Sequence, residues 1–266
     1  MKNDFKIAIV SPVFPPYKGG IGSVAQFDAE ILKANGFTVE VFTPQYSKAP
    51  LALDGITRFR PFYEWGNAAV LLDLLRALRG FDVIHLHYPF FGSDILTAFS
   101  AKIWRIPLLV TCHMRPKAKG LLGFTFKVYK FVLERFIFKT AQAVLVSSVD
   151  YARENNIIHD NLVTYPFGVD VQKFSPENKQ TDRSKFELDE STPVIIFVGG
   201  LDSAHYFKGL DVLLSACAEL VTPWQILVVG DGNRRADFEQ LADRLKISDR
   251  VHFAGSVSSD ELPKAY

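Results

Sequence analysis

Residues 6–34 read KIAIVSPVFPPYKGGIGSVAQFDAEILKA and show the unit from which the fold is built. The β-branched run 6–10 is typical of a buried parallel strand, and the residues from 24 to 34 have the pattern of a helix. The glycine-rich loop 11–22 connects the two. A strand followed by a helix is the repeating unit of parallel α/β sheets, so this stretch predicts the fold class.

The same alternation continues along the chain. Further strands are predicted at 38–43, 83–86, 108–111, 143–146 and 162–165, and helices at 68–78, 94–103 and 124–138. A second series comprises strands 194–198, 225–229 and 250–253, helices 209–220 and 234–245, and a last helix that opens at Ser259. This order predicts doubly wound α/β architecture in both series.

A polar stretch separates the two series and predicts a domain boundary. We therefore expect an N-terminal Rossmann-like domain over 1–174, a linker over 175–192 and a partial C-terminal domain over 193–266. The second series has only three strands, whereas open α/β sheets have about five or six. We expect the second domain to be incomplete at its C-terminus.

Composition excludes several classes of protein. Hydrophobic residues make up 48% of the 266 residues, charged residues make up 22%, and the net charge is +1. These values exclude a disordered chain and a dedicated nucleic-acid binder. No apolar run reaches the roughly 18 residues of a membrane-spanning helix. Cys112 and Cys217 are too few for a disulfide scaffold, so we expect a reducing cytoplasm.

The glycine loop predicts an anion site, because glycines at a helix N-terminus let backbone N–H groups approach a phosphate. Gly20-x-Gly22-x-x-Ala25 also matches the dinucleotide fingerprint. Eight residues separate the strand from these glycines, however, and the second strand ends without an acid for a ribose. Phosphate or sugar binding is therefore favoured over NAD, and a loop that serves only packing stays open as an alternative.

Eight segments together resemble, in order, the retaining family-four glycosyltransferases of the GT-B fold. They are KIAIVSPVFPPYKGGIG (6–22), DVIHLHYP (82–89), VTCHM (110–114), YPFGVDVQKFSP (165–176), FVGG (197–200), FKGLDVLLSA (207–216), LVVGDG (227–232) and VHFAGSVSSDEL (251–262). The resemblance implies two Rossmann-like domains that face a cleft. A nucleotide sugar would bind mainly to the second domain and the acceptor mainly to the first.

The resemblance also implies roles for individual residues. His113 matches a histidine that points at the donor sugar, Lys208 a lysine that neutralises the leaving diphosphate, and Gly19 and Gly20 a loop near the donor phosphates and the transferred sugar. These four are the expected catalytic residues. The expected donor-binding residues are Gly22, Gly199, Gly200, Gly230, Gly232, Gly255 and Val257.

The sequence departs from the family at two places. Gly200 stands where the family has an arginine, and His205 or Arg234 is a candidate substitute. The family's E-x7-E motif would lie beyond Tyr266, so we expect impaired activity from these residues alone. Two alternative functions stay open: a GT-B sugar-nucleotide epimerase and a non-catalytic membrane-associated binding domain.

The chemistry implied by the resemblance is front-face attack with retention. Lys208 and backbone amides would stabilise the departing diphosphate, so we expect no metal ion and no cofactor besides the nucleotide sugar. No carboxylate lies beside His113 in sequence, which argues against a covalent intermediate. His85 and His87 are expected to face opposite sides of the sheet, with His87 on the acceptor side.

Residues 115–139 combine seven positive charges and one negative charge with many aromatic and aliphatic side chains. Such a helix suits an anionic membrane surface, and Lys127 and Lys130 are the expected contacts. An ordinary amphipathic helix packed on the sheet is the alternative. The predicted function is sugar transfer to a lipid-linked or glycan acceptor, in cell-surface polysaccharide or glycolipid synthesis. The predicted location is the cytoplasmic face of the cell membrane.

Overall fold

The computed structural model describes residues 4–17, 19–46, 52–65, 68–116, 120–175, 183–258 and 260–266. The chain forms two compact units, one up to Gly168 and one from Val169 onward. Each unit has its own sheet of mainly parallel strands with helices packed on it. The predicted α/β class is therefore confirmed for both.

The first unit contains the longer series of elements. Its described strands are β1 (Lys6–Val10), β2 (Thr38–Pro44), β3 (Ala52–Leu53), β4 (Ile56–Phe59), β5 (Tyr63–Trp65), β6 (Ala68–Val70), β7 (Val83–Tyr88), β8 (Leu108–Cys112), β9 (Ala143–Val146) and β10 (Leu162–Thr164). Its described helices are α1 (Gly20–Ala34), α2 (Leu74–Ala77), α3 (Ser93–Trp104), α4 (Gly120–Tyr129), α5 (Arg135–Thr140) and α6 (Val149–Glu154). A π-helical segment, Lys130–Glu134, joins α4 to α5.

The strand order reverses at β1. In the described residues the main sheet runs β10-β9-β8-β7-β1-β2-β4-β3, and only the β3–β4 pair is antiparallel. Ile7 and Ile9 pack beneath α1, whereas Ala8 and Val10 face the core on the other side of the sheet. The carboxyl ends of β1 and β7 therefore meet at the switch point, which is where open α/β sheets bind ligands.

The predicted helix over 68–78 is wrong. The chain forms the hairpin β5–β6 and then the short helix α2. The Ala69 N–H donates to the Phe91 carbonyl, and Ser93 Oγ accepts from the Leu71 N–H while donating to the Ala69 carbonyl. These long-range hydrogen bonds satisfy the backbone in an extended conformation, so tertiary contacts override the local helical pattern.

The second unit contains a smaller parallel sheet. Its described strands are β11 (Val194–Val198), β12 (Gln225–Val229) and β13 (Val251–Gly255), in that spatial order, and its helices are α7 (Leu210–Ala218), α8 (Arg235–Leu245) and α9 (Leu262–Ala265). Short 3₁₀ turns occupy Arg183–Phe186, Ser203–Lys208 and Ser248–Arg250. Helices α7 and α8 cover one face of the sheet, and Phe186, Leu188 and Ala265 pack on the other.

Two predictions fall partly on residues outside the described ranges. The expected linker 175–192 includes 176–182, which are not described, and its remaining part packs into the second unit through Phe186 and Leu188. The expected start of the last helix, Ser259, also lies outside the described residues. Among the helices that are described, none combines the length and the apolar character needed to cross a bilayer.

Candidate functional site

The glycine loop leads into α1 at the switch point of the first sheet. Helix α1 begins at Gly20, four residues before the predicted start, and the Ser23 N–H donates to the Gly19 carbonyl. The backbone N–H groups of the helical residues before Ser23 therefore have no acceptor within the helix. A Cβ at Gly22 would lie 3.0 Å from the Val13 carbonyl oxygen, whereas Gly20 has open space. Gly22 thus permits close packing, and Gly20 is free to face a ligand.

Three histidines cluster at the carboxyl ends of β7 and β8. His87 Nδ1 lies 2.9 Å from His113 Nε2, and His85 Nε2 lies 2.7 Å from Thr111 Oγ1. The rings of His85 and His87 are 4.6 Å apart, so the prediction that they face opposite sides is wrong. Residues i and i+2 of a strand share a face. His87 is fully buried and contacts His113, and its expected place on the acceptor side stays a prediction.

Two residues missed by the sequence analysis extend this cluster. Asp28 on α1 accepts a hydrogen bond from the Tyr165 hydroxyl at 2.7 Å through Oδ1, and its Oδ2 lies 3.6 Å from His87 Nε2. A carboxylate therefore lies next to the histidines although Asp28 is more than fifty residues from them in sequence. The missed signal is periodicity, because Ala25, Asp28 and Ala29 share the buried face of α1.

Burial controls the protonation of the cluster. It lowers the pKa values of His85 and His113 to about 4, and it lowers the pKa of His87 well below its ordinary value. Burial also raises the pKa of Asp28, and the hydrogen bond from Tyr165 partly offsets that rise. At neutral pH the three histidines are therefore neutral, so each ring offers one donor and one acceptor.

The same cluster bears on metal binding. Asp28, His85 and His87 bring three ligand-type atoms within 4.8 Å of one another. The sequence analysis considered two histidines only, so the carboxylate is an addition. One ring nitrogen of His85 already contacts Thr111, and one of His87 contacts His113. The expectation that no metal is needed stays a prediction.

Glycines line the carboxyl edge of the sheet in the second unit. The Gly230 N–H donates to the Gly255 carbonyl at 2.8 Å, and the Gly199 N–H donates to the Val229 carbonyl at 3.0 Å. A Cβ at Gly232 would lie 2.3 Å from the carbonyl carbon of Leu201. The loops after β11, β12 and β13 therefore meet backbone to backbone, and four of the predicted donor-binding glycines lie together.

Two cationic side chains flank this edge. Lys208 is exposed, and its Cγ lies 3.6 Å from the position of a Cβ at Gly199. Arg235, which the sequence analysis did not single out, lies with Nη1 3.6 Å from the Cβ position of Gly255. Its Nη2 donates to the Phe253 carbonyl at 3.3 Å. The structure therefore adds a guanidinium to the predicted lysine.

Four other residues that the sequence analysis named belong to the second unit. Gly200 is half-buried beside Leu201, and Val257 packs its side chain beneath the sheet. Arg234, a candidate substitute for the missing arginine, pairs with Asp237 and stacks on a neighbouring ring. The side chain of His205, the other candidate, lies outside the described residues. Roles for these residues stay predictions.

Lys127 and Lys130 are exposed on the α4 helix and the π-helical segment, respectively. They line a groove of about 890 Å³ together with Arg135, Lys139 and Phe131. The π-helical turn brings Glu134 inward, where it pairs with Arg115 at 2.6 Å and accepts a hydrogen bond from Tyr88. The only acid of the segment is thus buried and paired, so the outer face carries the positive charge.

Comparisons with known proteins bear on both units. The family model described as "Glycosyl transferase 4-like domain" matches residues 19–156, and that described as "Glycosyl transferases group 1" matches 178–266. D-inositol 3-phosphate glycosyltransferase of Nocardia farcinica is 26% identical over 301 residues, which cover 96% of this chain and 65% of the relative. Its counterpart in Frankia alni is 29% identical over 302 residues, which cover 96% and 72%.

A solved structure supports the fold. Anabaena HepE, crystallised with UDP and glucose, matches with a TM-score of 0.69 at 18% identity, over 98% of this chain and 71% of that one. The same protein has been solved with UDP-glucose. The likeness confirms the predicted GT-B type of α/β fold.

Proposed function

Because the chain belongs to the glycosyltransferases that combine a 4-like domain with a group 1 domain, we propose that it transfers a sugar from a nucleoside-diphosphate sugar. Transfer proceeds with retention, to a lipid-linked or glycan acceptor of cell-surface polysaccharide or glycolipid synthesis. The relatives' name includes D-inositol 3-phosphate, and HepE has been solved with UDP-glucose. The chain spans 65% of the length of the Nocardia relative. The activity of the whole protein is therefore proposed rather than shown.

One observation carries the donor half of this proposal. At the carboxyl edge of β11–β13, glycine backbones approach so closely that no side chain fits at Gly230 or Gly232. Lys208 lies at one end of this edge and Arg235 at the other. Cations at both ends of this edge suit a diphosphate, because its oxygens accept charge-assisted hydrogen bonds. The Arg235 Nε pairs with Glu239, while its Nη1 lies near Gly255.

The same groups suit the chemistry of transfer. As the sugar–phosphate bond breaks, positive charge develops on the anomeric carbon and negative charge on the diphosphate. Lys208 stabilises the diphosphate as its negative charge develops, and removal of one preorganised donor of this kind typically costs about a hundred- to a thousandfold in rate. His113 is neutral at pH 7 and therefore acts as a hydrogen-bonding partner of the sugar rather than as a cation. No metal ion is part of the proposed mechanism.

A surface of α4 and the π-helical segment supports contact with an anionic membrane. Leu121, Phe124, Val128, Phe131 and Val132 are exposed at helical spacing, with exposed fractions of 81, 63, 47, 71 and 55%. This arrangement forms an apolar stripe, which we call the 121–132 stripe. Lysines 127 and 130 accompany it, as in helices that lie in the headgroup region of a bilayer.

The test is ligand-detected NMR of this chain with UDP-, GDP- and ADP-glucose, with NAD as the control. We expect saturation transfer to one nucleotide sugar, competed by the corresponding nucleoside diphosphate, and none to NAD. Signal from NAD alone would contradict the proposal. Liposome binding combined with silence from every nucleotide sugar would instead favour the non-catalytic membrane-binding domain, whose supporting observation is the 121–132 stripe.

A further inference from the structure

Four polar side chains form a continuous line inside the first unit. The Tyr165 hydroxyl contacts Asp28 Oδ1 at 2.7 Å, Asp28 Oδ2 lies 3.6 Å from His87 Nε2, and His87 Nδ1 lies 2.9 Å from His113 Nε2. Asp28 and His87 are almost completely buried. The line runs from the helix α1 side of the sheet to the end of β8.

The middle of the line contains two atoms that lack a hydrogen bond. Among the described residues, neither Asp28 Oδ2 nor His87 Nε2 has a partner, and both are buried. Buried polar atoms are nearly always hydrogen-bonded, and these two face each other. A closure of about 0.6 Å gives them a normal N–H···O distance. We therefore treat them as donor and acceptor of one bond.

The direction of the bonds follows from the chemistry of each group. The Tyr165 hydroxyl donates to Oδ1. In its ionised form Asp28 only accepts, and opposite that form His87 carries its proton on Nε2. A neutral imidazole has one N–H, which makes His87 Nδ1 an acceptor. His113 must then donate from Nε2. Its Nδ1 has no proton and, within the described part of the chain, no hydrogen-bond partner.

We propose that Asp28 and His87 are positioning residues that hold His113 in the Nε2–H tautomer, so that its Nδ1 is presented as an acceptor for a hydroxyl group of the donor sugar. The identity of that hydroxyl rests on the proposed function, whereas the tautomer does not. The ring of His113 also stacks on Phe167 at 4.9 Å, which fixes the plane in which Nδ1 points. The ring of His87 also stacks on that of His113, with centroids 5.2 Å apart, so His87 contributes to the orientation as well as to the tautomer.

The tautomer is measured directly by long-range ¹H–¹⁵N NMR of the histidine-labelled chain at pH 7.5. The six histidines are assigned by single His→Gln variants. We expect His87 and His113 to carry hydrogen on Nε2 in the unmodified chain. Hydrogen on Nδ1 of His113 would overturn the proposal. The tautomer is measured on the unmodified chain, and the variants serve only to assign its signals.

Asp28→Asn tests the origin of the tautomer. Tyr165 continues to donate to Oδ1, so the new amide presents N–H to His87 and forces its Nε2 to accept. Both histidines should then move to the Nδ1–H tautomer. Thr111→Val, which removes the partner of His85, is the matched control and should leave His113 unchanged. An unchanged His113 in a folded Asp28→Asn variant would overturn the proposal.

Donor affinity tests the role of the exposed nitrogen. With UDP-glucose as the probe, we expect about tenfold weaker binding to Asp28→Asn and unchanged binding to Thr111→Val. Reversed tautomers with unchanged affinity would overturn the assignment of Nδ1 to the sugar. Absence of binding to the unmodified chain would count against the proposed function, while the tautomer result would still decide the positioning roles.

Discussion

The carbonyl oxygen of Gly199 lies only 1.9 Å from the position that a Cβ on Gly230 would take. The loops that follow β11 and β12 therefore touch through backbone alone. Gly230 also has a φ of 138°, a conformation that residues with a side chain rarely adopt. Both the close carbonyl and the positive φ therefore require glycine at position 230. This residue lies beside the edge at which we propose that the diphosphate binds.

Gly230→Ala should therefore destabilise the second unit by about 3 kcal/mol or more, because the atoms that the new methyl group meets are backbone atoms of Gly199 and cannot rotate aside. Gly209→Ala is the control, since Gly209 also has positive φ (72°) but its nearest neighbour would lie 3.9 Å away. We expect the control to lose about 1 kcal/mol. Urea unfolding measures both, and equal losses would contradict the steric argument.

Two glycines of the first loop should respond differently to alanine. Gly22→Ala places a methyl group 3.0 Å from the Val13 carbonyl oxygen and should cost about 1–3 kcal/mol in unfolding free energy. Gly20→Ala has open space and should change stability by about 0.5 kcal/mol or less. If Gly20 approaches the donor as proposed, however, the same variant should weaken donor binding. Preserved donor affinity in Gly20→Ala would remove that glycine from the site.

Lys208→Ala should reduce sugar transfer by the complete protein at least about tenfold in kcat/KM, because a charge on the leaving diphosphate loses its partner. Lys246→Ala removes an exposed lysine at the end of α8 and should leave kcat/KM unchanged. Steady-state kinetics with the nucleotide sugar identified by NMR provides the measurement. Equal values for the unmodified protein and Lys208→Ala would exclude Lys208 from the mechanism.

Replacing both Lys127 and Lys130 with Glu should weaken binding to anionic liposomes at least about tenfold, since each basic residue near such a surface contributes roughly 1 kcal/mol. The difference should shrink at high salt, because screening reduces the attraction. Lys33 and Lys102, also changed to Glu, form a control with the same change in net charge. Liposome sedimentation that shows equal losses in both double variants would point to overall charge rather than to this helix.

The stability of the first unit should depend on pH through Asp94, which is fully buried and accepts a hydrogen bond from Tyr129. Burial raises the pKa of Asp94 to about 7 from its ordinary 3.8. The folded state therefore binds this proton more tightly than the unfolded state does. The stabilisation is complete below pH 3.8 and is lost as the pH rises through about 7.

Urea unfolding of the unmodified chain and of Asp94→Asn measures this effect. The stability of the unmodified chain relative to the variant should fall by about 2–3 kcal/mol between pH 5 and pH 8. Asp150→Asn changes an exposed carboxylate and should show no such trend. A pH-independent difference for Asp94→Asn would show that Asp94 has an ordinary pKa in the folded protein.

The local pattern of the sequence was sufficient to predict many of the strands. Strands such as 6–10, 143–146, 194–198 and 225–229 have the predicted bounds, because runs of apolar residues in a buried parallel strand are visible without knowledge of the neighbours. The pairing of β5 with β6 was not predictable in this way. The backbone of Ala69 in β6 is satisfied by Phe91 and Ser93, more than twenty residues further along the chain.

Part of the candidate site was likewise predictable from the sequence, and part was not. The glycines after β1, β11 and β12 and the histidine after β8 were found from sequence, since parallel strands place their carboxyl ends at one edge. Asp28, Tyr165 and Arg235 were not. A helix presents a residue to the sheet once per turn, and which strand end it meets depends on strand order and register. The amino-acid sequence by itself therefore determined the kind of fold and the edges that carry chemistry, whereas only the tertiary structure decided that a carboxylate from α1 and a tyrosine after β10 converge on the histidines.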